Sequence, residues 1–341
     1  MSTLKAPFPW FGGKASIAPL VWERFGTASN YVEPFFGSGA MLLGRPNSDG
    51  TETVNDLDGY LANFWRAIQA APDEVARHAD WPVNECDLHA RHAALVRAKP
   101  EHVARLMGDP DYYDSNLAGW WVWGLCSWIG SGWCSGQGPW QAIDGALTDT
   151  RQLPHLGNAG QGINRQLPHL GNAGQGINRQ LPHLGDAGQG INRQLPHLGD
   201  AGRGIYDTFA ALSARLRGVR VCCGDWSRVC GPSVTVKHGL TAVFLDPPYA
   251  DTAGREKVYT HDCMKVAHNV REWAIASGSN PLFRIALAGY EGEHAMPNDW
   301  ECVAWKASGG YEGQGKEPTG NCRKERLWFS PHCEKPELLL L

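Results

Sequence analysis

The chain has 341 residues, of which 43% are hydrophobic and 19% charged, and its formal net charge is −4. This length suits one large α/β domain or a catalytic domain with a smaller one, and the net charge means that a nucleic-acid partner would need a local basic face. There is no apolar run of about 18 residues, no signal-peptide core near residue 1 and no CxxC pair among ten scattered cysteines. We therefore expect no membrane span, no metal site and a cytoplasmic protein with reduced thiols.

The first motif is "PFPWFGGK" at residues 7–14. Gly12 and Gly13 predict a flexible bend, Lys14 places a cation beside it, and Trp10 offers a flat apolar face. Lys14 would suit a carboxylate, and Trp10 would suit the cover of a cofactor. The alternative is an N-terminal arm that only packs on the core.

Two predicted strands follow, and each ends in a feature that suits a ligand. The strand at 31–33 in "YVEPFFGSGAMLL" runs into Gly37 and Gly39, and the strand in "ETVNDLD" ends at Asp56. Glycines after a first strand allow a ligand to approach the backbone, and an acid after the second suits a ribose diol. The glycine spacing does not fit GxGxxG, so the pattern favours a single nucleoside-like cofactor. The alternatives are a plain glycine turn and, for Asp56, a helix N-cap.

The middle of the chain is predicted to be helical and then repetitive. Apolar spacing predicts helices over 59–79 and 86–98. Six tryptophans follow, interpreted either as core or as a wedge that enters DNA; they are Trp120, Trp121, Trp123, Trp128, Trp133 and Trp140.

A 14-residue repeat then fills 151–206 in four copies that start at Arg151, Arg165, Arg179 and Arg193. Each copy has one proline and three glycines, which opposes a continuous helix and predicts loops or short strands. The block carries five arginines and two aspartates. It would be either a contact for DNA phosphates or a solvated insertion. The segment at 321–326 has two similar interpretations, a contact for DNA phosphates or a charged surface loop.

Strand patterns return from residue 219 onward and alternate with a helix at 261–277, which predicts a mostly parallel sheet. The predicted strands lie at 219–225, 241–246, 281–290, 301–307 and 325–330. Asp225 would end one of them, either near a cofactor or as a helix cap.

The strand at 241–246 ends in "DPPY", which is Asp246, Pro247, Pro248 and Tyr249. Ligands bind at such strand ends in open α/β sheets, and two prolines fix the backbone and remove two N–H donors. A carboxylate, a neighbouring carbonyl and an aromatic ring together suit a heterocyclic amino group.

Taken in order, "PWFGGK", "EPFFGSGA", "ND" and "DPPY" resemble the Dam-like family of DNA adenine methyltransferases. The resemblance covers roughly 5–66 and 219–330. It implies a Rossmann-like class I methyltransferase sheet, with a catalytic domain formed by 1–66 and 207–341. The inserted 67–206, which includes the repeats at 151–206, would be the target-recognition region.

The resemblance also implies the cofactor, S-adenosylmethionine, and the partner, double-stranded DNA whose target adenine is flipped out of the helix. By motif position, the cofactor contacts would be Trp10, Lys14, Gly37, Gly39, Asp56 and Asp246. Asp246, Pro247 and Tyr249 would be the catalytic residues that face the base. We expect a monomer that acts in a bacterial cell or in the cytoplasm of a virus-infected host.

Two other functions fit part of this pattern. A cytosine-N4 DNA methyltransferase would also transfer a methyl group to an exocyclic amine, which is a poor nucleophile. A non-catalytic DNA-binding or interaction protein on a methyltransferase scaffold would explain the repeat expansion. Protein-glutamine methyltransferases have a similar corner but typically begin it with Asn, whereas Asp246 stands here.

Overall fold

The architecture is taken from a computed structural model. It describes residues 4–8, 10, 14–47, 49–128, 132–134, 140–143, 146–149, 204–248, 264–305 and 325–335. Of the residues singled out above, Gly12, Gly13, Tyr249, the four repeats from 151 to 203 and the segment 321–324 lie outside this description, as do 261–263 and 306–307 of two predicted elements.

Within the described ranges, seven strands form one sheet in the order β5-β2-β1-β6-β7-β9-β8. Neighbouring strands from β5 to β7 are parallel, whereas β9 is antiparallel to both β7 and β8. A separate antiparallel pair is formed by β3 and β4. The strands are β1 Asn30–Glu33, β2 Thr51–Asp56, β3 Trp140–Ile143, β4 Ala146–Asp149, β5 Val219–Cys223, β6 Thr241–Leu245, β7 Phe283–Tyr290, β8 Glu301–Ala304 and β9 Glu325–Phe329.

Helices cover both faces of the sheet. They are α1 Ala18–Phe25, α2 Ala40–Leu43, α3 Gly59–Ala70, α4 Pro72–Ala79, α5 Glu85–Gly108, α6 Ser115–Ser127, α7 Ile205–Leu216 and α8 Met264–Gly278. Short 3-10 turns at Lys14–Ser16, Trp226–Val229 and Val236–His238 complete the regular structure. The alternation of strands and helices thus gives the expected α/β fold with a Rossmann-like sheet.

Alternate residues of the central strands belong to two separate cores. Tyr31 and Phe244 pack with α1, α3 and α6 on one face, whereas Val32 and Val243 pack with α8 on the other. A strand points successive side chains to opposite faces, so a strand that is apolar throughout must be covered on both sides. This explains why β6, "TAVFL", is buried along its whole length.

The strand order places a topological switch at the centre of the sheet. From β1 the chain moves outward to β2 and β5, and later returns to β6 on the other side of β1. The carboxyl ends of β1 and β6 are therefore neighbours at the point where an open α/β sheet binds its ligands. Glu33 ends β1, and Asp246 follows β6 directly.

The predicted strands are confirmed to within a few residues, and one predicted helix is longer than expected. The pattern over 86–98 predicts an end before Pro100, but α5 continues to Gly108. His102 and Leu106 are buried beyond the proline. The free energy gained by burying these two side chains offsets the loss of the hydrogen bond that a proline removes from a helix interior.

None of the helices in the described part of the chain combines the length and hydropathy that a bilayer-crossing segment needs. In the same part of the chain, no group of three or more His, Cys, Asp or Glu side chains is arranged to hold a metal ion.

Candidate active site

Asp56 joins the end of β2 to the glycine turn that follows β1. Its Oδ2 accepts a hydrogen bond from the Gly37 N–H at 3.1 Å, and its Oδ1 accepts one from the Asp58 N–H at 3.0 Å. Burial raises the pKa of the Asp56 carboxyl to about 6, and the backbone N–H donors oppose this rise. The alternative of an N-cap is wrong for Asp56, because Asp58 caps α3 by accepting from the Tyr60 N–H.

Both glycines of the turn adopt backbone conformations that other residues rarely take. Gly37 has φ +51° and Gly39 has φ +71°, in the left-handed region that glycine enters without steric cost. The carbonyl of Gly37 accepts a hydrogen bond from the buried Trp65 indole at 3.1 Å. Trp10 lies against Gly37, and a Cβ there would be 2.6 Å from the Trp10 Nε1. The turn is therefore shaped for the N-terminal arm to pack on it.

Lys14 connects the same arm to the end of β6. Its Nζ lies 3.2 Å from the Asp246 Oδ1, and the lysine side chain is only 8% exposed. The ammonium also lies 5.3 Å from the centre of the Trp305 ring, which follows β8. A buried cation needs such partners, since removing it from water is costly. The arm therefore reaches across the sheet edge from the glycine turn to Asp246.

Glu33 is a carboxyl group that the sequence patterns did not single out. It ends β1, is 3% exposed, and accepts a hydrogen bond from the Tyr31 hydroxyl at 2.8 Å. Burial is the main reason that its pKa is raised well above the usual range, and the nearby charges of Asp246 and Asp56 raise it further. This shift favours the neutral form of Glu33 and disfavours a third negative charge beside those two aspartates. The sequence feature that could have identified Glu33 is an acidic residue at the end of a buried strand, just before a glycine turn.

The structure thus brings seven of the predicted residues, all except Tyr249, to one edge of the sheet. Contacts join Asp56 to Gly37, Gly37 to Trp10, and Lys14 to Asp246. Pro247 is buried beside Asp246.

Asp225 acts as a cap in this structure. Its Oδ1 accepts from the Ser227 N–H at 3.0 Å and so begins the 3-10 turn Trp226–Val229. The next residue, Trp226, stacks on Phe35 with ring centres 6.4 Å apart. Since β5 pairs with β2 so that Cys223 lies opposite Asp56, this aromatic pair lies at the same end of the sheet.

The tryptophan-rich tract belongs to the core where it is described. Trp121, Trp123 and Trp128 are buried, and Trp133 donates a hydrogen bond to the Trp121 carbonyl at 3.0 Å. The interpretation as core is therefore confirmed for α6, and the wedge interpretation is not supported there. The side chain of Trp140 lies outside the described residues.

Comparison with protein families bears on the class of this site. Residues 10–86 match the model of the D12 class N6 adenine-specific DNA methyltransferases. This part of the chain is therefore similar to the adenine-specific DNA methyltransferases. The matched part includes Trp10, Lys14, the glycine turn and Asp56, so the resemblance drawn from the motifs is confirmed there. Asp246 lies beyond the match. No curated protein matches the chain.

Proposed function

We propose that this methyltransferase transfers a methyl group from S-adenosylmethionine to the N6 amino group of adenine in double-stranded DNA. The observation that carries the proposal is the arrangement at the sheet edge. The glycine turn after β1, which Asp56 holds at the end of β2, lies beside the strand β6 that leads to the Asp246 carboxylate, at the topological switch point.

The described residues fit S-adenosylmethionine. A carboxylate has about four lone-pair sites, so Asp56 can accept from a ribose hydroxyl in addition to its backbone donors. The backbone at Gly37 and Gly39 leads into the short helix α2 and can approach a ligand closely. Trp10 and Lys14 complete the wall beside this turn. When bound, the cofactor supplies an electrophilic methyl group on a sulfonium centre.

Asp246 and Pro247 would act on the target amine. The N6 lone pair of adenine is delocalised into the ring, so the amine is a poor nucleophile. The Asp246 carboxylate and the Pro247 carbonyl accept its two N–H groups, which draws the nitrogen toward tetrahedral geometry. The carboxylate also stabilises the positive charge that develops on N6 and is the nearest acceptor for the proton that N6 then loses.

Lys14 would hold the Asp246 carboxylate ready for this task. Its ammonium contacts Oδ1 and favours the ionised form of the acid. Because N6 lies inside the base stack of duplex DNA, the adenine must be flipped out, and we assign Tyr249 to hold it by stacking.

The same proposal assigns the remaining parts of the chain. Residues 1–66 and 207–341 would form the catalytic domain, and 67–206 would contain the target-recognition region. We expect a monomer, which light scattering of the purified protein would check.

The test is transfer of labelled methyl groups to unmodified DNA of varied sequence. Asp246→Ala should abolish transfer, whereas Asp299→Ala, which removes an exposed carboxylate from the same domain, should leave it unchanged. Sequencing that detects modified bases should then find N6-methyladenine. If the folded wild-type protein methylates no DNA, or methylates cytosine N4, the proposal is rejected.

A further inference from the structure

A cavity of about 140 Å³ lies on the face of the sheet that is opposite to α3. It is bounded by β2, β5 and the segment that follows β5, and its wall is formed by Thr53, Arg220, Cys222, Arg228, Val229 and Val234. Thr53 lies directly opposite Arg220 in the β2–β5 register. The volume is several times the roughly 30 Å³ that a water molecule occupies in the liquid, so it accommodates a small polyatomic group.

The described side chains on the cavity wall carry positive charge. Arg220 and Arg228 both line the cavity, and no acidic residue of the described ranges does. Among the described residues neither guanidinium forms an ion pair. Both arginines are exposed, so solvent screens their mutual repulsion, and an anion that enters the cavity would be attracted by both.

Arg228 is held in this position by the backbone. Its Nη1 donates to the Cys223 carbonyl at 2.7 Å, and its side chain lies across Gly224. Gly224 has φ +141°, and a Cβ there would collide with the guanidinium. The end of β5 is therefore shaped to place an arginine over the cavity.

Thr53 provides the second, independent observation. It is 2% exposed, and its Oγ1 has no hydrogen-bond partner. A buried hydroxyl without a partner is unfavourable, and native structures usually satisfy such groups. The thiol of Cys222 has a pKa raised mainly by burial, so it is neutral at pH 7 and can act only as a weak donor or acceptor. Every polar side chain on the wall can therefore donate a hydrogen bond, and none is anionic.

We propose that this cavity binds a phosphate group, as a site separate from the cofactor and base sites. Guanidinium groups match the oxygens of phosphate in pairs, and the Thr53 hydroxyl adds a donor at the base of the cavity. The phosphate would come either from the backbone of the DNA substrate or from a free phosphate ion.

Thermal unfolding of the full chain tests the site without cofactor or DNA. Inorganic phosphate replaces chloride at constant ionic strength. For the wild type we expect a rise in Tm of about 3 °C when phosphate reaches fifty times its Kd. Arg220→Gln and Arg228→Gln should lose most of this rise. Arg217→Gln, which removes an exposed arginine that does not line the cavity, should keep it. Phosphate stabilises proteins non-specifically as well, so the difference between variants is the readout.

Thr53→Val gives a signature that loss of folding cannot imitate. The substitution removes the unpartnered hydroxyl, so Tm in chloride should equal or exceed the wild-type value, while the rise with phosphate shrinks. If Arg220→Gln and Thr53→Val respond to phosphate as the wild type does, the proposal is overturned.

DNA binding distinguishes the two sources of phosphate. Loss of one contact to the DNA backbone lowers the slope of log K against log salt by about 0.9. A lower slope for Arg220→Gln than for the wild type assigns the site to the DNA backbone. An unchanged slope, together with the thermal effect, assigns it to a free phosphate ion. Failure of methyl transfer would leave the thermal result untouched, so the two proposals fail separately.

Discussion

Asp56 has one structural role in the fold and one proposed role in binding. Its contacts with the Gly37 and Asp58 N–H groups fix the turn after β1 to the end of β2, and we propose that the same carboxylate accepts hydrogen bonds from the cofactor. The first role needs an acceptor in the folded protein, and the second needs an ionised group to receive a hydroxyl donor. The pKa of about 6 makes the second role sensitive to pH near neutrality.

We expect the affinity for S-adenosylmethionine to fall by about tenfold between pH 7 and pH 5. With a pKa of about 6, Asp56 is about nine-tenths ionised at pH 7 and about one-tenth at pH 5, and protonation removes acceptor sites. Calorimetric titration across this range measures the effect. Asp56→Asn should bind more weakly at pH 7 and lose this pH dependence. An equally steep decline in that variant would mean that another group titrates.

Gly37 is limited by its backbone conformation and by its neighbour. A left-handed conformation costs a residue with a Cβ about 1–2 kcal/mol, and the added methyl group would also contact Trp10. Gly37→Ala should therefore lower the free energy of unfolding by at least that amount and weaken cofactor binding. Urea unfolding gives the first quantity and calorimetry the second.

The matched control for Gly37 is Gly108→Ala, because a Cβ at Gly108 would contact nothing within 4 Å. It should change stability by less than about 0.5 kcal/mol. Adding Trp10→Ala to Gly37→Ala removes the collision but not the cost of the left-handed backbone. Full recovery of stability in that double variant would contradict the backbone argument.

At the scale of elements, a buried group of charges fastens helices to the sheet. Glu52 on β2 is 4% exposed and pairs with Arg45, which follows α2, at 2.9 Å and with Arg215 on α7 at 2.7 Å. Arg215 also donates to the Leu42 carbonyl at the end of α2. A single carboxylate thus links α7, which follows the repeats in the sequence, to the strand that carries Asp56.

Removing one partner of a buried ion pair is costly, because it leaves the other charge uncompensated. Arg215→Ala should lower the free energy of unfolding by about 2–4 kcal/mol. The loss is limited because Arg45 still pairs with Glu52 in this variant. Chemical denaturation measures it. Arg217→Ala, an exposed arginine two residues along, should shift the value by less than about 0.5 kcal/mol. Equal effects of the two substitutions would refute the role of the ion group.

The elements themselves were largely predictable, because local patterns specify them. The strand at Thr241–Leu245 follows from an apolar run that ends in turn residues. The strands at Asn30–Glu33 and Thr51–Asp56 are short and partly polar, and the turn motifs that follow them located them. Motif position also located Lys14 and Asp246 at the same site. Their direct contact was not predictable, because it depends on how the arm crosses the sheet edge. Glu33 was missed because a strand pattern does not reveal how completely its last side chain is buried.

At the scale of the whole molecule, the site is assembled from two distant parts of the chain. Adjacent strands β1 and β6 are separated by 207 residues, 34 to 240, and this stretch includes the repeats. The entropic cost of closing a connection grows only with the logarithm of its length. Changing the number of repeats should therefore have little effect on the stability of the sheet.

Deletion of one repeat copy, residues 165–178, should leave the affinity for S-adenosylmethionine within about twofold of the wild type. Shortening a connection from 207 to 193 residues changes the closure entropy by less than about 0.1 kcal/mol. Calorimetric titration gives the affinity, and thermal unfolding checks that the fold is retained. A large loss of affinity would mean that the repeats belong to the catalytic scaffold.

The adjacency of β1 and β6 also sets when the enzyme can become active during its own synthesis. A ribosome that adds about 5–20 residues per second needs roughly 10–40 s to pass from the end of β1 to the start of β6. During that interval one edge of β1 has no partner strand, and Lys14 has not met Asp246. A nascent or prematurely terminated chain therefore carries the glycine turn and Asp56 without Asp246 and Pro247. On the proposed mechanism such fragments would not modify DNA, and they expose a strand edge that chaperones and proteases recognise.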